Sequence, residues 1–204
     1  QEFKRYGLHI SRQNMANWTI QCADRYLAVL YDYLHEKMYD YHVLQADETP
    51  VLVNRDGRPA GSKSYMWVYR TGRMYTDRQI VLYEYQRTRN ASHPREFLKD
   101  FSGICVTDGY QVYHTIENEG EDLVIAGCWS HARRRFDEAV KALPKAKQKD
   151  SRAYLALTMI QAIYREEKQL KELPAQERQN RRQLSVKPLV EAYFVWVREN
   201  LSKV

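Results

Sequence analysis

The sequence predicts an α/β fold: a mixed five-stranded sheet, three antiparallel strands then two parallel ones, flanked by helices and followed by a C-terminal helical segment. Three observations predict it. Val43–Val53 (VLQADETPVLV) is a short apolar run rich in β-branched residues, the composition of a strand inside a sheet. Two further strand-like runs follow it through local loops, the pattern of an antiparallel meander. Two more, Gly103–Asp108 and Leu123–Gly127, each come after a segment able to form a helix. They can therefore run parallel to the first through right-handed crossovers.

Each element has its own warrant. Ser11–Asp40 reads as a helix capped by Ser11, with Met15, Trp18, Cys22, Tyr26, Val29 and Tyr33 at three- and four-residue spacing. Leu27, Leu30, Leu34 and Met38 widen this stripe, which is expected to pack on the sheet or on an upstream segment. In Val43–Val53, Pro50 has no N–H for a ladder, so a bulge or break in pairing is expected there. Asn54–Ser64, with Asp56-Gly57 and Gly61, reads as a wide hairpin loop. Tyr65–Arg70 and Gln79–Gln86 are the next strands, joined through Thr71-Gly72. His93–Phe101 is a short helix with Pro94 in its first turn. After Ala132 the chain turns helical: Ser151–Leu173 has an apolar face (Leu157, Ile160, Tyr164), Gln176–Gln183 is polar and basic, and Pro188–Leu201 is amphipathic through Val190, Phe194, Val197 and Leu201. This strand and helix order fits the ribonuclease-H-like arrangement. It divides into a helical lead-in over residues 1–41, a core over 42–140 that is expected to be incomplete, and a helical insertion over 141–204.

Composition narrows the class of protein. The 204 residues, 44% hydrophobic and 28% charged, suffice for one sizeable domain with an appended helical part. No run approaches the ~18 apolar residues of a membrane span, and no secretory signal opens the chain. The three cysteines, Cys22, Cys105 and Cys128, are odd in number and far apart, which suits a reduced cytoplasmic protein. A net charge of +6 favours polyanionic partners, nucleic acid first. The chain opens at Gln1 rather than Met and is expected to be a piece of a longer protein.

Three places can carry chemistry. Asp47 sits mid-strand, where a carboxylate that gives up water needs a compensating partner, most simply a metal ion. Asp108 ends the fourth strand in Thr107-Asp108-Gly109-Tyr110; read alone, it is a turn residue. If the first and fourth strands are neighbours, the two aspartates face each other and repel unless cations neutralise them. Two divalent ions ~3.5–4 Å apart would stabilise the attacking and leaving oxygens of a phosphoryl displacement. The third place is Gly127–Phe136 (GCWSHARRRF). A zinc site at Cys128 and His131 needs a second ligand pair of comparable spacing, which the sequence does not supply. A helical projection buries Trp129, Ala132, Phe136, Ala139 and Leu143, gathers His131, Arg134, Arg135 and Glu138 on another flank, and puts Arg133 opposite. His131 with two arginines near a helix N-terminus is a reasonable phosphate clamp, against the plainer reading of a solvated basic helix.

Ala46–Pro50 (ADETP), Trp67–Arg70 (WVYR), Phe97–Gly103, Thr107–Tyr110 (TDGY) and Cys128–Phe136, in this order and spacing, resemble the insertion-sequence-66 family of bacterial transposases. The resemblance runs from about Ser11 to Leu201. It implies a ribonuclease-H-like fold with a helical insertion after the fifth strand. It also implies Mg²⁺-dependent (or Mn²⁺-dependent) DNA strand cleavage and strand transfer by two aspartates and a glutamate. Asp47 matches the first aspartate and Asp108 the second, both as metal ligands. Cys128 and His131 match the Cys-x-x-His element that supports the site. Arg133, Arg134 and Arg135, with Lys63 and Arg70, are the expected contacts to double-stranded DNA, both transposon ends and target. Self-association in an active complex and a bacterial cytoplasmic location are also implied.

The family's Asn-Asn-x-x-Glu-Arg motif and its upstream zinc-finger region do not occur in this sequence, and Gln45 replaces a more usual His or apolar residue. Glu166, Glu167, Glu191 and Glu199 do not match the missing motif. The third acidic ligand is therefore expected outside this chain, which alone should bind metal weakly and cleave DNA barely or not at all. The competing readings are a ribonuclease-H-like nuclease or resolvase, an inactive DNA-binding or protein-interaction module, and a zinc-binding regulator.

Overall fold

The computed structural model describes residues 2–53, 57–59, 61–119 and 122–200. The chain forms two compact units, Gln1–Gly127 and Cys128–Val204. The helix opening at Trp129, which the sequence groups with the core, falls in the second unit.

The first unit holds the predicted sheet. Its strands are β1 (Val43–Leu52), β2 (Lys63–Thr71), β3 (Val81–Gln86), β4 (Gly103–Thr107) and β5 (Leu123–Gly127), in the order β3-β2-β1-β4-β5. β1 pairs antiparallel with β2, and β2 with β3; β1 pairs parallel with β4, and β4 with β5. This is the ribonuclease-H-like mixed sheet. Of the predicted hairpin loop, Asn54–Asp56 lie outside the described residues, as does Leu201 of the last amphipathic stretch.

Pro50 corrects an expectation. It pairs with Tyr65 in an unbroken ladder that runs on to Leu52↔Lys63. The β4 ladder stops at Gln45, so beyond it β1 is paired with β2 alone. Alternate N–H positions there point away from β2, and a proline at one of them interrupts nothing.

The long helix α1, residues 12–38, starts as expected: Ser11 Oγ accepts from the Asn14 N–H at 3.0 Å. Its expected buried stripe holds at Leu34 and Met38 and is corrected elsewhere. Met15, Trp18, Tyr26, Val29 and Tyr33 are exposed. A π-helical turn at Ala23–Leu27 breaks the periodicity between Arg12–Cys22 and Ala28–Met38. The face that packs is Tyr31, Leu34, His35 and Met38, one turn-by-turn set within the C-terminal half. Tyr31 donates to Glu84 on β3 at 3.0 Å, and His35 bonds the Phe97 carbonyl at 2.9 Å.

The core lies on the face to which β1 sends Leu44, Ala46 and Glu48. It gathers Trp67, Tyr69 and Leu82 from β2 and β3, Cys105 from β4, and Leu123 and Ile125 from β5. Besides α1, which supplies Met38, two helices contribute to it: α2 (Ser92–Phe97), with Pro94 in its first turn, and α3 (Gln111–Glu117). The Tyr69 and Phe97 rings stack at 3.5 Å, and Tyr113 and Ile116 of α3 are buried. Gly103 opens β4 at φ +148°, and a Cβ there would stand 2.5 Å from the His42 carbonyl oxygen, so only glycine fits. The other face is open: Val81, Tyr83 and Tyr85 of β3 and Val124 of β5 are exposed, while Val43 and Gln45 are half-buried.

The second unit is helical: α4 (Trp129–Lys141), α5 (Arg152–Gln169) and α6, residues 175–200, with single turns elsewhere. α5 packs against both α4 and α6. Ala156, Ile160, Ile163, Val186 and Tyr193 form its centre, with Trp129 against Tyr193 at 5.1 Å. The buried α4 position is Val140 rather than Ala139, which is exposed. Tyr164 and Phe194, expected on apolar faces, are also exposed. Both rings lie one position off the inward stripe, which Ile163 and Tyr193 occupy instead. Among the described residues no helix is long and apolar enough to cross a membrane.

Candidate active site on β1 and at the end of β4

Parallel pairing of β1 and β4 runs Val43↔Ile104, Leu44↔Cys105, Gln45↔Val106. Carried two residues further along each strand, this register sets Asp47 level with Asp108. The two aspartates thus come from neighbouring strands, Asp47 within β1 and Asp108 at the carboxyl end of β4, where ligands of open α/β sheets bind. Asp47 is exposed and accepts from the Glu48 N–H at 3.0 Å. Asp108 lies just past β4, and Gly109 turns the chain at φ +83°, a left-handed angle suited to glycine. Asp108 Oδ1 accepts from the Tyr110 N–H at 2.9 Å, an Asx turn that leads into α3.

Strand alternation sends Glu48, next to Asp47, to the core face, where its side chain is 1% exposed. There it is fastened from two sides. Arg89 donates Nε to Glu48 Oε1 at 2.7 Å and brings Nη2 to the same oxygen, while Tyr113 Oη donates to Oε2 at 3.2 Å. Arg89 Nη2 also lies 3.7 Å from Asp108 Oδ2. Tyr110 braces the arginine twice: the guanidinium carbon sits 3.8 Å from its ring centre, and its hydroxyl donates to the Arg89 carbonyl at 3.1 Å. Burial raises the Glu48 pKa above its usual value, an effect that Arg89 and Tyr113 only partly offset and the Asp108 charge reinforces. Burial works against the Arg89 charge, yet its bonds to Glu48 outweigh this and raise its pKa.

Glu48 and Arg89 are the residues that sequence reasoning passed over. The signal was available: if Asp47 faces out of a strand, its neighbour faces in, and a buried carboxylate needs a cation. Nothing in the sequence marks Arg89 as that cation, because its loop meets β1 only through the fold.

The expected DNA-contacting residues are not all brought together. Lys63 and Arg70 stand at opposite ends of β2, roughly 23 Å apart at the ~3.3 Å rise of a strand, and alternation puts them on opposite faces. Arg70 pairs with Gln45, so it shares the open face with Asp47. In the second unit Cys128 is the N-cap residue of α4, and its carbonyl accepts from the Ala132 N–H at 3.1 Å. His131 lies in the first turn. Arg133, Arg134 and Arg135 are exposed, and the first two border one hollow of about 540 Å³ with Ser130, Asp137, Gln161 and Tyr164. Arg133 therefore does not stand opposite Arg134, as consecutive helical residues are only about 100° apart.

Carboxylate oxygens are the donors that Mg²⁺ and Mn²⁺ take, and Mg²⁺ commonly keeps several waters beside one or two of them. Asp47 and Asp108 fit such an ion as a partial ligand set. Among the described residues no group of three or more His, Cys, Asp or Glu side chains could hold a metal.

The sheet defines a protein of the ribonuclease-H-like class. The chain belongs to the family described as Transposase IS66 family, whose pattern it matches over residues 1–204. It is similar to three proteins of Sinorhizobium fredii described as uncharacterized. It is 28% identical to y4qI, covering 99% of this chain and 38% of that one. The corresponding figures are 26%, 93% and 38% for y4jD, and 24%, 96% and 37% for y4hP. The chain thus spans less than two fifths of the length of these relatives.

Proposed function

We propose that this chain is the central part of a transposase catalytic domain that cleaves DNA strands and joins them to a target in a metal-dependent reaction. The observation that carries the reading is the β1–β4 register, which, carried two residues on, sets Asp47 of β1 level with Asp108 just past β4. Asp47 and Asp108 would hold Mg²⁺ or Mn²⁺, completed by an acidic ligand from outside this chain. Such a cation, when bound, supplies charge stabilisation at the attacking and leaving oxygens of the phosphodiester.

The chain's own residues divide the remaining work. Asp47, on the open face, presents its carboxylate to solvent and substrate. Asp108 is oriented by the Tyr110 N–H and the turn at Gly109. Arg70 adds positive charge to the face that Asp47 occupies. Arg133, Arg134 and Arg135 would contact phosphates of double-stranded DNA, each neutralised phosphate steepening the salt dependence of binding. Cys128 and His131 take the supporting place that their match to the family's Cys-x-x-His element gives them. Self-association in the active complex and a cytoplasmic, DNA-associated location follow from the same reading.

Calorimetry with Mn²⁺ tests it, on the full chain and on the Asp47→Asn/Asp108→Asn double variant. Binding that disappears in the double variant places both carboxylates in one site. Binding that persists unchanged sinks the assignment. In the full-length protein, Mg²⁺-dependent nicking of transposon-end DNA should vanish in either single variant.

A further inference from the structure

We infer that Glu48 is a positioning residue that keeps Arg89 off Asp108, so that the Asp108 carboxylate meets a divalent cation rather than a guanidinium. This rests on the reading of Asp108 as a metal ligand. The geometry behind it is unequal sharing. Arg89 reaches two carboxylates, but its Nε is hydrogen-bonded to Glu48 Oε1 at 2.7 Å and its Nη2 is ion-paired with the same oxygen. Its approach to Asp108 Oδ2 stops at 3.7 Å, beyond hydrogen-bond length. Glu48 can win this competition because Tyr113 fixes its other oxygen and because its side chain is shut away from water. Tyr110 holds the guanidinium from its ring face, which limits how far it can swing.

Neutralising Glu48 removes the stronger of the two attractions. Arg89, still pinned by Tyr110, then has Asp108 as the nearest carboxylate, and an arginine paired at full contact competes with a metal ion for the same oxygens. A merely structural Glu48 makes a different prediction, since loss of its support would not be repaired by also removing Arg89.

The test uses the full chain and three variants: Glu48→Gln, Glu48→Gln/Arg89→Gln and Asp108→Asn. Mn²⁺ affinity is measured by calorimetry, and folding is checked by circular dichroism. Glu48→Gln should weaken Mn²⁺ binding on the order of tenfold, and adding Arg89→Gln should restore it to within about threefold of the parent. Crystals of metal-free Glu48→Gln should show Arg89 Nη2 within about 3.2 Å of Asp108 Oδ2. Should Glu48→Gln fail to fold, Glu48→Asp keeps the charge but draws it back by one methylene, and it should lose affinity in the same direction by a smaller factor. Loss of affinity that Arg89→Gln does not restore overturns the inference, as does a guanidinium that stays at or beyond 3.7 Å from Asp108. If Asp108→Asn leaves Mn²⁺ binding unchanged, the metal-ligand reading fails instead, and the distance in the metal-free crystals still decides whether Glu48 restrains Arg89.

Discussion

Asp47 and Glu48 are neighbours in sequence and opposites in the fold. On the core face, Leu44, Ala46, Trp67, Tyr69 and Cys105 exclude water, and the one carboxylate that β1 sends there is bound by Arg89 and Tyr113. On the open face, Asp47 meets solvent among Gln45, Val68 and Arg70. Burial converts a carboxylate into a structural tie that must be satisfied, whereas exposure keeps it hydrated and lifts that requirement. Two acids one residue apart can therefore serve different ends without interfering.

The sharpest way to break this contrast is at the open-face site. In the full-length protein, Asp47→Asn or Asp108→Asn should lower DNA cleavage by at least ~10³-fold while changing stability by less than about 0.5 kcal/mol in urea titrations. On the core face the effect should be the reverse. Trp67, fully buried, should cost about 3–5 kcal/mol on replacement by alanine. Exposed positions on the open face set the lower bound: Tyr83→Thr or Val124→Thr should stay within about 0.5 kcal/mol of the parent.

Acid titration of stability sharpens the contrast further, because two glutamates should act with opposite sign. Glu117 accepts from the Ile125 N–H at 2.8 Å and pairs with His114, which lowers its pKa below 4.5. Its contribution is present above pH ~4.5 and is lost as pH falls through the depressed value, so Glu117→Gln should flatten that acid limb. Glu48, raised by burial, does the opposite: stability falls as pH rises from ~4.5 through its raised value, and Glu48→Gln should remove that decline. The smallest effect is chemical. Burial pushes the Cys105 thiol up to about 12, so at neutral pH iodoacetamide should label exposed Cys22 and spare Cys105 in the folded chain, read by mass spectrometry.

Much of the fold was legible because its signals are local. Strand composition, crossover helices, the cap at Ser11 and the first-turn proline Pro94 depend on neighbours within a few residues, and the five strands stand where these signals put them. Errors arose where periodicity was extended across a break. In α1 no residue of Arg12–Cys22 is buried, so Trp18 stays exposed, and beyond the π-helical turn at Ala23–Leu27 Tyr31, Leu34 and Met38 pack while Tyr33 does not. A similar one-position slip separated Ala139 from Val140 and Tyr164 from Ile163. In the candidate site, Asp47 and Asp108 could be named from motif and strand order. Glu48's partner could not, since Arg89 lies 41 positions away and pairs with it only through the folded sheet.

By itself, the sequence determined which segments are strands and helices, the order in which they must join, and the two aspartates, one within the first strand and one just past the fourth. Those follow from backbone propensity and hydrophobic alternation, which are properties of short stretches of chain. Only the tertiary structure decided which of the two carboxylates, 47 or 48, is buried with a guanidinium and which is exposed. It likewise decided that Lys63 and Arg70 are separated, and that Arg89 stands between Glu48 and Asp108. Such choices depend on which distant side chains the packing brings within a few ångströms, and desolvation and charge pairing act only at that range.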